Sequence, residues 1–163
     1  MPDPELTLED LLQWAHDRTH LLYDGTEVAH RSCGVALAET FGRQTAPYQA
    51  LRRGGITGHG QCGAIKAGEL ILGEVFGDPD PTGPVTDTLR EAMIRYRALW
   101  QQETGLGDGD SIVCNDLTAP LGDFRSPERH AFCTDLAAVA SRCVARTLLG
   151  LGAGLDTPPP PDR

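Results

Sequence analysis

Five cysteines stand in this 163-residue chain, at positions 33, 62, 114, 133 and 143. Three of them follow a histidine by three residues: His30-Arg-Ser-Cys33, His59-Gly-Gln-Cys62 and His130-Ala-Phe-Cys133. Residues i and i+3 share one face of a helix, so this spacing predicts an imidazole against each thiol. A protonated imidazole there favours thiolate, the form that ligates metals and exchanges disulfides. The odd cysteine count argues against a disulfide framework. No two cysteines form a Cys-x-x-Cys pair, which excludes a zinc ribbon and a thioredoxin motif. Any site shared by these thiols must therefore be assembled by the fold.

Cys62 is the most unusual of the five. It lies within RRGGITGHGQCGAIKAGELILGEVFG, crowded by Gly54, Gly55, Gly58, Gly60 and Gly63. Gly58, Gly60 and Gly63 spell a literal G-x-G-x-x-G, but a dinucleotide site needs a strand on either side of the glycine-helix unit. Here YQALRR precedes and the turn GDPDPTGP follows. Ala64 after Gly63 breaks the P-loop pattern, and Asp108 and Asp110 lack the later ligands of an EF-hand. Either the chain must bend tightly at these glycines for packing, or something must come close to the backbone and the Cys62 sulfur. Cys62 also starts a predicted helix, as Cys33 and Cys133 lie towards the starts of theirs, and helix N-termini stabilise thiolates. Cys143 lies ten residues beyond Cys133 on the same predicted helix. That separates the two by ~15 Å, so Cys143 reads as a core residue.

The elements that must position these groups are helices. Apolar periodicity and capping residues predict them near 7–22, 28–41, 62–76, 85–103 and 127–149, with a short one at 46–53. Gly68 and Gly73 on the third read as sites of close helix packing. Residues 106–124 read as an irregular loop with a short extended piece at 111–114. The class is all-α: a single-domain bundle of about five main helices over residues 1–152, with 153–163 a disordered Pro-rich tail. With 40% hydrophobic residues the chain can bury a core. Fourteen Lys and Arg against 23 Asp and Glu give a net charge of −9, which repels phosphate backbones and speaks against a nucleic-acid partner. No apolar run approaches the ~20 residues of a membrane-spanning helix. MPDPELTLED has neither a basic nor an apolar region of a secretory signal, so a cytoplasmic location is expected.

Four cysteines, the second inside GHGQCGAIKAGELILG and the third inside GDSIVCNDL, resemble the C_GCAxxG_C_C family of redox-active proteins across residues 10–150. The matching positions are Cys33, Cys62, Cys114 and Cys133, with Gly63 and Ala64 after the second cysteine. Gln61 stands where the family's name has glycine, and Ala67 where it has the downstream glycine, with Gly68 next. The resemblance implies a small helical protein with a redox-active cysteine site, and an iron–sulfur cluster is associated with related modules.

The expectation is thus that Cys33, Cys62, Cys114 and Cys133 converge, with His30, His59, His130, Gly60 and Gly63 around them. A [2Fe–2S] cluster is the first expectation, ahead of a metal-free dithiol/disulfide pair, and four thiolates would also suit structural zinc. The rivals are a Cys–His enzyme, with Cys62 as nucleophile and His59 or His130 as base, and a helical scaffold with buried cysteines. A redox partner is implied; monomer and homodimer both stay open.

Overall fold

Thr7 starts the first helix. Asp10 N donates to the Thr7 hydroxyl at 3.2 Å, and the Asp10 carboxylate accepts from Thr7 N at 2.8 Å. This capping box satisfies donors that a helix start otherwise leaves unpaired. In the computed structural model, which describes residues 5–155, α1 then runs Leu8–Asp24 and stops at Gly25, φ 77°. The run of prolines near the C-terminus lies outside the described residues.

α2 spans Cys33–Thr40, five residues later in its start than the sequence suggests. Residues 26–32 turn back onto the end of α1 instead. Arg31 N donates to Leu22 O at 2.8 Å, His30 Nδ1 meets Tyr23 O, and the Arg31 guanidinium pairs with Glu39 at 2.9 Å. These tertiary bonds outweigh a local helix preference worth only tenths of a kcal/mol per residue. A 3-10 segment, Ala46–Leu51, leads into the glycine stretch, followed by α3, Gly63–Phe76, and α4, Asp87–Thr104. A five-residue helix, α5, Cys114–Thr118, and a 3-10 turn, Ala119–Leu121, interrupt the region expected as loop. The last helix, α6, Pro127–Gly150, is capped by Ser126, whose hydroxyl accepts from Arg129 N at 3.1 Å.

α6 is the axis of the bundle. It packs on α1, α3, α4 and α2, and Ala137, Ala140, Val144, Ala145 and Leu148 vanish into those interfaces. Small residues there let the helices approach closely. A buried hydroxyl trio ties three helices together: Thr19 of α1 lies 2.7 Å from the Thr40 hydroxyl of α2 and donates to Ser141 of α6 at 2.8 Å. Ser141 donates onward to Ala15 O at 2.9 Å. Gly68 has the packing role expected of it, since a Cβ there would lie 2.1 Å from the Tyr96 hydroxyl. Gly73 does not; it faces open space with no atom within 4 Å. Ala153 and Leu155 pack against the core, so chain order continues past residue 152.

The class is all-α. Among the described residues the sole β feature is an isolated antiparallel bridge between Gln61 and Val113. No described helix is long and apolar enough to cross a membrane.

Candidate functional site

Four of the five cysteines reach the same space. Cys33 opens α2 behind its N-cap Ser32, Cys62 is the N-cap of α3, Cys114 opens α5, and Cys133 lies in the second turn of α6. All four line one cavity of about 240 Å³. Cys143 stands apart in the core, 2% exposed.

Backbone hydrogen bonds bring Cys114 to this place. Cys62 N donates to Ile112 O at 2.7 Å, Cys114 N to Gly60 O at 2.9 Å and Asn115 N to Gly58 O at 2.9 Å. The segment before α5 is thereby zipped along the glycine stretch, which becomes a wall of the chamber.

That stretch contains a turn of left-handed helix. φ is 50° at Arg53, 59° at Gly54, 72° at Gly55 and 72° at Ile56, and Ile56 N donates to Arg52 O at 2.6 Å. Left-handed conformation costs an L-residue roughly 1–2 kcal/mol, and a β-branched residue such as Ile56 is a genuine outlier there. Ile56 is 60% exposed, so burial of its side chain does not offset that cost. Strain of this kind concentrates at functional sites. Two glycines are required by contact with the cysteines. A Cβ on Gly54 would sit 2.5 Å from Cys114 Cβ, and one on Gly63 would sit 2.7 Å from Cys33 Sγ and 2.3 Å from Leu51 O. The Cys33 sulfur thus packs on the bare face of the residue next to Cys62.

Burial governs the thiols. It pushes Cys62 up to about 12, aided by the neighbouring Cys33, against the N–H groups of Ile65 and Ala64. It pushes Cys33 up to about 11, against the N–H groups of Gly34 and Arg53, with Cys133 and Cys114 adding to the rise. Cys133 is raised by burial as well, opposed by Arg129 and a hydrogen bond from Tyr23. Three thiols are therefore protonated at neutral pH. Helix starts do not make them thiolates, contrary to the sequence expectation, because desolvation outweighs the dipole and N–H donation.

Arg52, Arg53 and Arg129 line the same chamber, and no carboxylate does. Arg129 donates to Phe124 O at 3.0 Å and approaches Cys114 Sγ at 3.9 Å. The Arg53 and Arg129 guanidiniums both lie over the Phe124 ring, 4.3 and 4.1 Å from its centroid. Ser32 Oγ, also on the chamber wall, is buried without a hydrogen-bond partner.

The histidines are placed less simply than their spacing suggests. Only His130 and Cys133 share a helix. His30 reaches the chamber wall from the non-helical segment before α2. His130 lines an adjoining cleft of about 440 Å³ that shares Tyr23, Phe124 and Arg129 with the chamber, and its Nε2 lies 3.0 Å from Asp24 O. His59 is exposed in the loop. Among the described residues no imidazole nitrogen is hydrogen-bonded to a thiol, so the Cys62 nucleophile with a His59 or His130 base is not assembled. Gly60 spends its N–H on Gly54 O rather than on sulfur. The N–H groups that oppose the rise of the Cys33 and Cys62 thiols belong instead to Gly34, Arg53, Ala64 and Ile65, and the Cys62 side chain takes no cap hydrogen bond at the start of α3. Sequence reasoning missed these, along with Tyr23 and Arg129. The i, i+4 spacing of Arg129 and Cys133 was the available signal for the last.

Among the described residues no three His, Cys, Asp or Glu side chains gather closely enough to hold one metal ion. The four thiols surround a chamber rather than a point. No family model, no curated protein and no solved structure matches the chain.

Proposed function

We propose that this is a redox protein in which Cys33, Cys62, Cys114 and Cys133 act as one site, resembling the C_GCAxxG_C_C family in the order of those cysteines. The observation that carries the reading is that the four cysteines of that pattern, and not Cys143, line one chamber. Thiols scattered through a core to fill space would not be gathered with three arginines and a strained turn.

A [2Fe–2S] cluster is the group this donor set suits. Cys33, Cys62, Cys114 and Cys133 would hold it, and when bound it would supply one-electron transfer. Arg53 and Arg129 would offset the negative charge of a bound cluster. Protonated thiols must release their protons on ligation, so loading is pH-dependent. Zinc suits the arrangement less well, because it needs four ligands within roughly 2.3 Å of a single point. Metal-free dithiol exchange is the second reading, favoured by the packing of the Cys33 sulfur against Gly63, next to Cys62. Absorption spectra and iron, sulfide and zinc content of protein purified without oxygen test these. Sulfur-to-iron charge-transfer bands support the cluster, and a colourless protein with reversibly titrating thiols supports the dithiol. Thiols that bind no metal and never oxidise would sink the redox reading.

A further inference from the structure

The thiol chamber is a cationic pocket in an anionic protein. The chain carries a formal charge of −9, yet three guanidiniums and no carboxylate line this cavity. The adjoining cleft repeats the pattern, with Arg125, Arg129, His30 and His130 and no acid among its lining residues. Asp24 pairs with His130 at 3.6 Å, but neither Arg53 nor Arg129 has a carboxylate partner among the described residues.

Arg129 is the telling residue. It is only 9% exposed, and a charge so withdrawn from water requires compensation. What it touches is the Phe124 carbonyl, the Phe124 ring and the Cys114 sulfur, with no carboxylate among them. Ser32 Oγ adds a second unmet demand on the same wall, a buried hydroxyl with nothing to bond. Phe124 holds the Arg53 and Arg129 guanidiniums on its ring; among the described residues the N–H edge of Arg53 has no hydrogen-bond partner, while Arg129 spends part of its edge on the Phe124 carbonyl.

We propose that the mouth of the chamber binds the anionic group, carboxylate or phosphate, of the small molecule that exchanges electrons with the thiols, clamped by Arg53 and Arg129 with Ser32 Oγ as a further partner. This rests on the four-thiol redox reading and adds the charge of the substrate. Carboxylate and phosphate share the relevant chemistry, since both accept paired, charge-assisted bonds from guanidinium. For a disulfide substrate X–S–S–X the step balances as follows. One chamber thiol loses its proton and attacks a substrate sulfur, forming protein–S–S–X and expelling X–S⁻, which takes the proton. A second chamber thiol attacks the protein sulfur of that mixed disulfide, expelling the other X–SH. Two thiols are oxidised to one disulfide, and one disulfide is reduced to two thiols.

The test compares two aromatic disulfides on reduced, chelator-treated protein: the dicarboxylate 5,5′-dithiobis(2-nitrobenzoate) and the neutral 2,2′-dithiodipyridine. Each rate is divided by that of 2-mercaptoethanol with the same reagent. The net charge of the protein alone would favour the neutral reagent, so a normalised preference for the dicarboxylate reports the local clamp. Arg53→Gln should lower the dicarboxylate-to-neutral ratio about tenfold, the worth of one charge-assisted bond, while Arg53→Lys recovers part of it. Arg53 is exposed, and thermal melting verifies that the variants stay folded. Arg97→Gln, which removes a surface pair with Asp108, should leave the ratio unchanged. Acetate and inorganic phosphate, added as competitors, report which oxyanion the clamp prefers. A ratio indifferent to Arg53→Gln overturns the anion site while leaving the redox reading intact. If neither reagent modifies any chamber thiol, the redox reading itself fails.

Discussion

Replacing Gly63 and Gly73 by alanine should move stability in opposite directions, although both glycines lie on α3. At Gly63 the new Cβ would stand 2.3 Å from Leu51 O and 2.7 Å from Cys33 Sγ. The first is a backbone atom at the end of a 3-10 segment, which cannot swing aside as a flexible side chain can. About 1 Å of separation must be found by moving that segment or α3, and overpacking of this kind costs about 1–3 kcal/mol. In a chain of this size each kcal/mol is worth roughly 2–4 °C in Tm. Gly63→Ala should therefore lower Tm by several degrees and displace the Cys33 sulfur, changing the rate at which Cys33 reacts with a thiol reagent. At Gly73 the Cβ would meet no atom within 4 Å. Relief of glycine's conformational entropy in a helix interior then stabilises by roughly 0.5–1 kcal/mol, raising Tm by a degree or more. Thermal melts followed by far-ultraviolet circular dichroism, with thiol kinetics on the same samples, check both. A Gly63→Ala protein as stable as the parent, with unaltered Cys33 kinetics, would refute the claim that this glycine exists to admit the sulfur.

Cys143→Ala should cost about 1 kcal/mol of stability and leave chamber-thiol reactivity and any bound iron unchanged, since Cys143 lies outside the chamber; loss of iron in that variant would overturn the assignment. Ile56→Gly should raise the urea midpoint by an amount worth about 1 kcal/mol, because it removes a β-branched residue from φ 72° at an exposed position. Alkali should destabilise the reduced, metal-free protein. Cys62, raised from 9.0 to about 12, Cys33, to about 11, and Cys143, to about 12, keep their protons more tightly folded than unfolded. Their contribution is fully present below the unfolded value and is lost as pH rises through the folded one. Between about pH 8 and 10 the loss should be about 1.4 kcal/mol per thiol, measurable by urea unfolding; flat stability across that range would show the thiols are not desolvated.

The helical class was legible because its signals are local. The Thr7–Asp10 capping pair, the Ser126–Pro127 start of α6 and the apolar faces behind them need no knowledge of the rest of the chain. The start of α2 was not legible. Residues 28–32 carry helix-compatible side chains, but Arg31 and His30 are committed to carbonyls at the end of α1, and no local pattern announces such a bond. The His-x-x-Cys argument failed with it, for in two of its three pairs the histidine lies outside a helix. Glycine clustering marked the stretch around Cys62 as unusual. It did not show that Arg53 and Ile56 would join Gly54 and Gly55 in a left-handed turn, since Ile is among the residues least suited to it. The arginines were hidden for a different reason. Their importance lies in the absence of acids around them, and that is a property of the assembled cavity.

Cys114 differs from its three companions in how the chain holds it. Cys33, Cys62 and Cys133 are borne by α2, α3 and α6, which are locked into the bundle, whereas α5 is a five-residue helix in the long connection between Thr104 and Pro127. A covalent link from Cys114, to a second sulfur or to a bound metal, would divide that connection into two shorter tethered spans and remove much of its freedom to wander. Breaking the link would return it. Electron state and wall mobility would then become one thermodynamic variable, and hydrogen exchange of residues 106–124 would read the chemistry of the sulfur from the motion of the backbone above it.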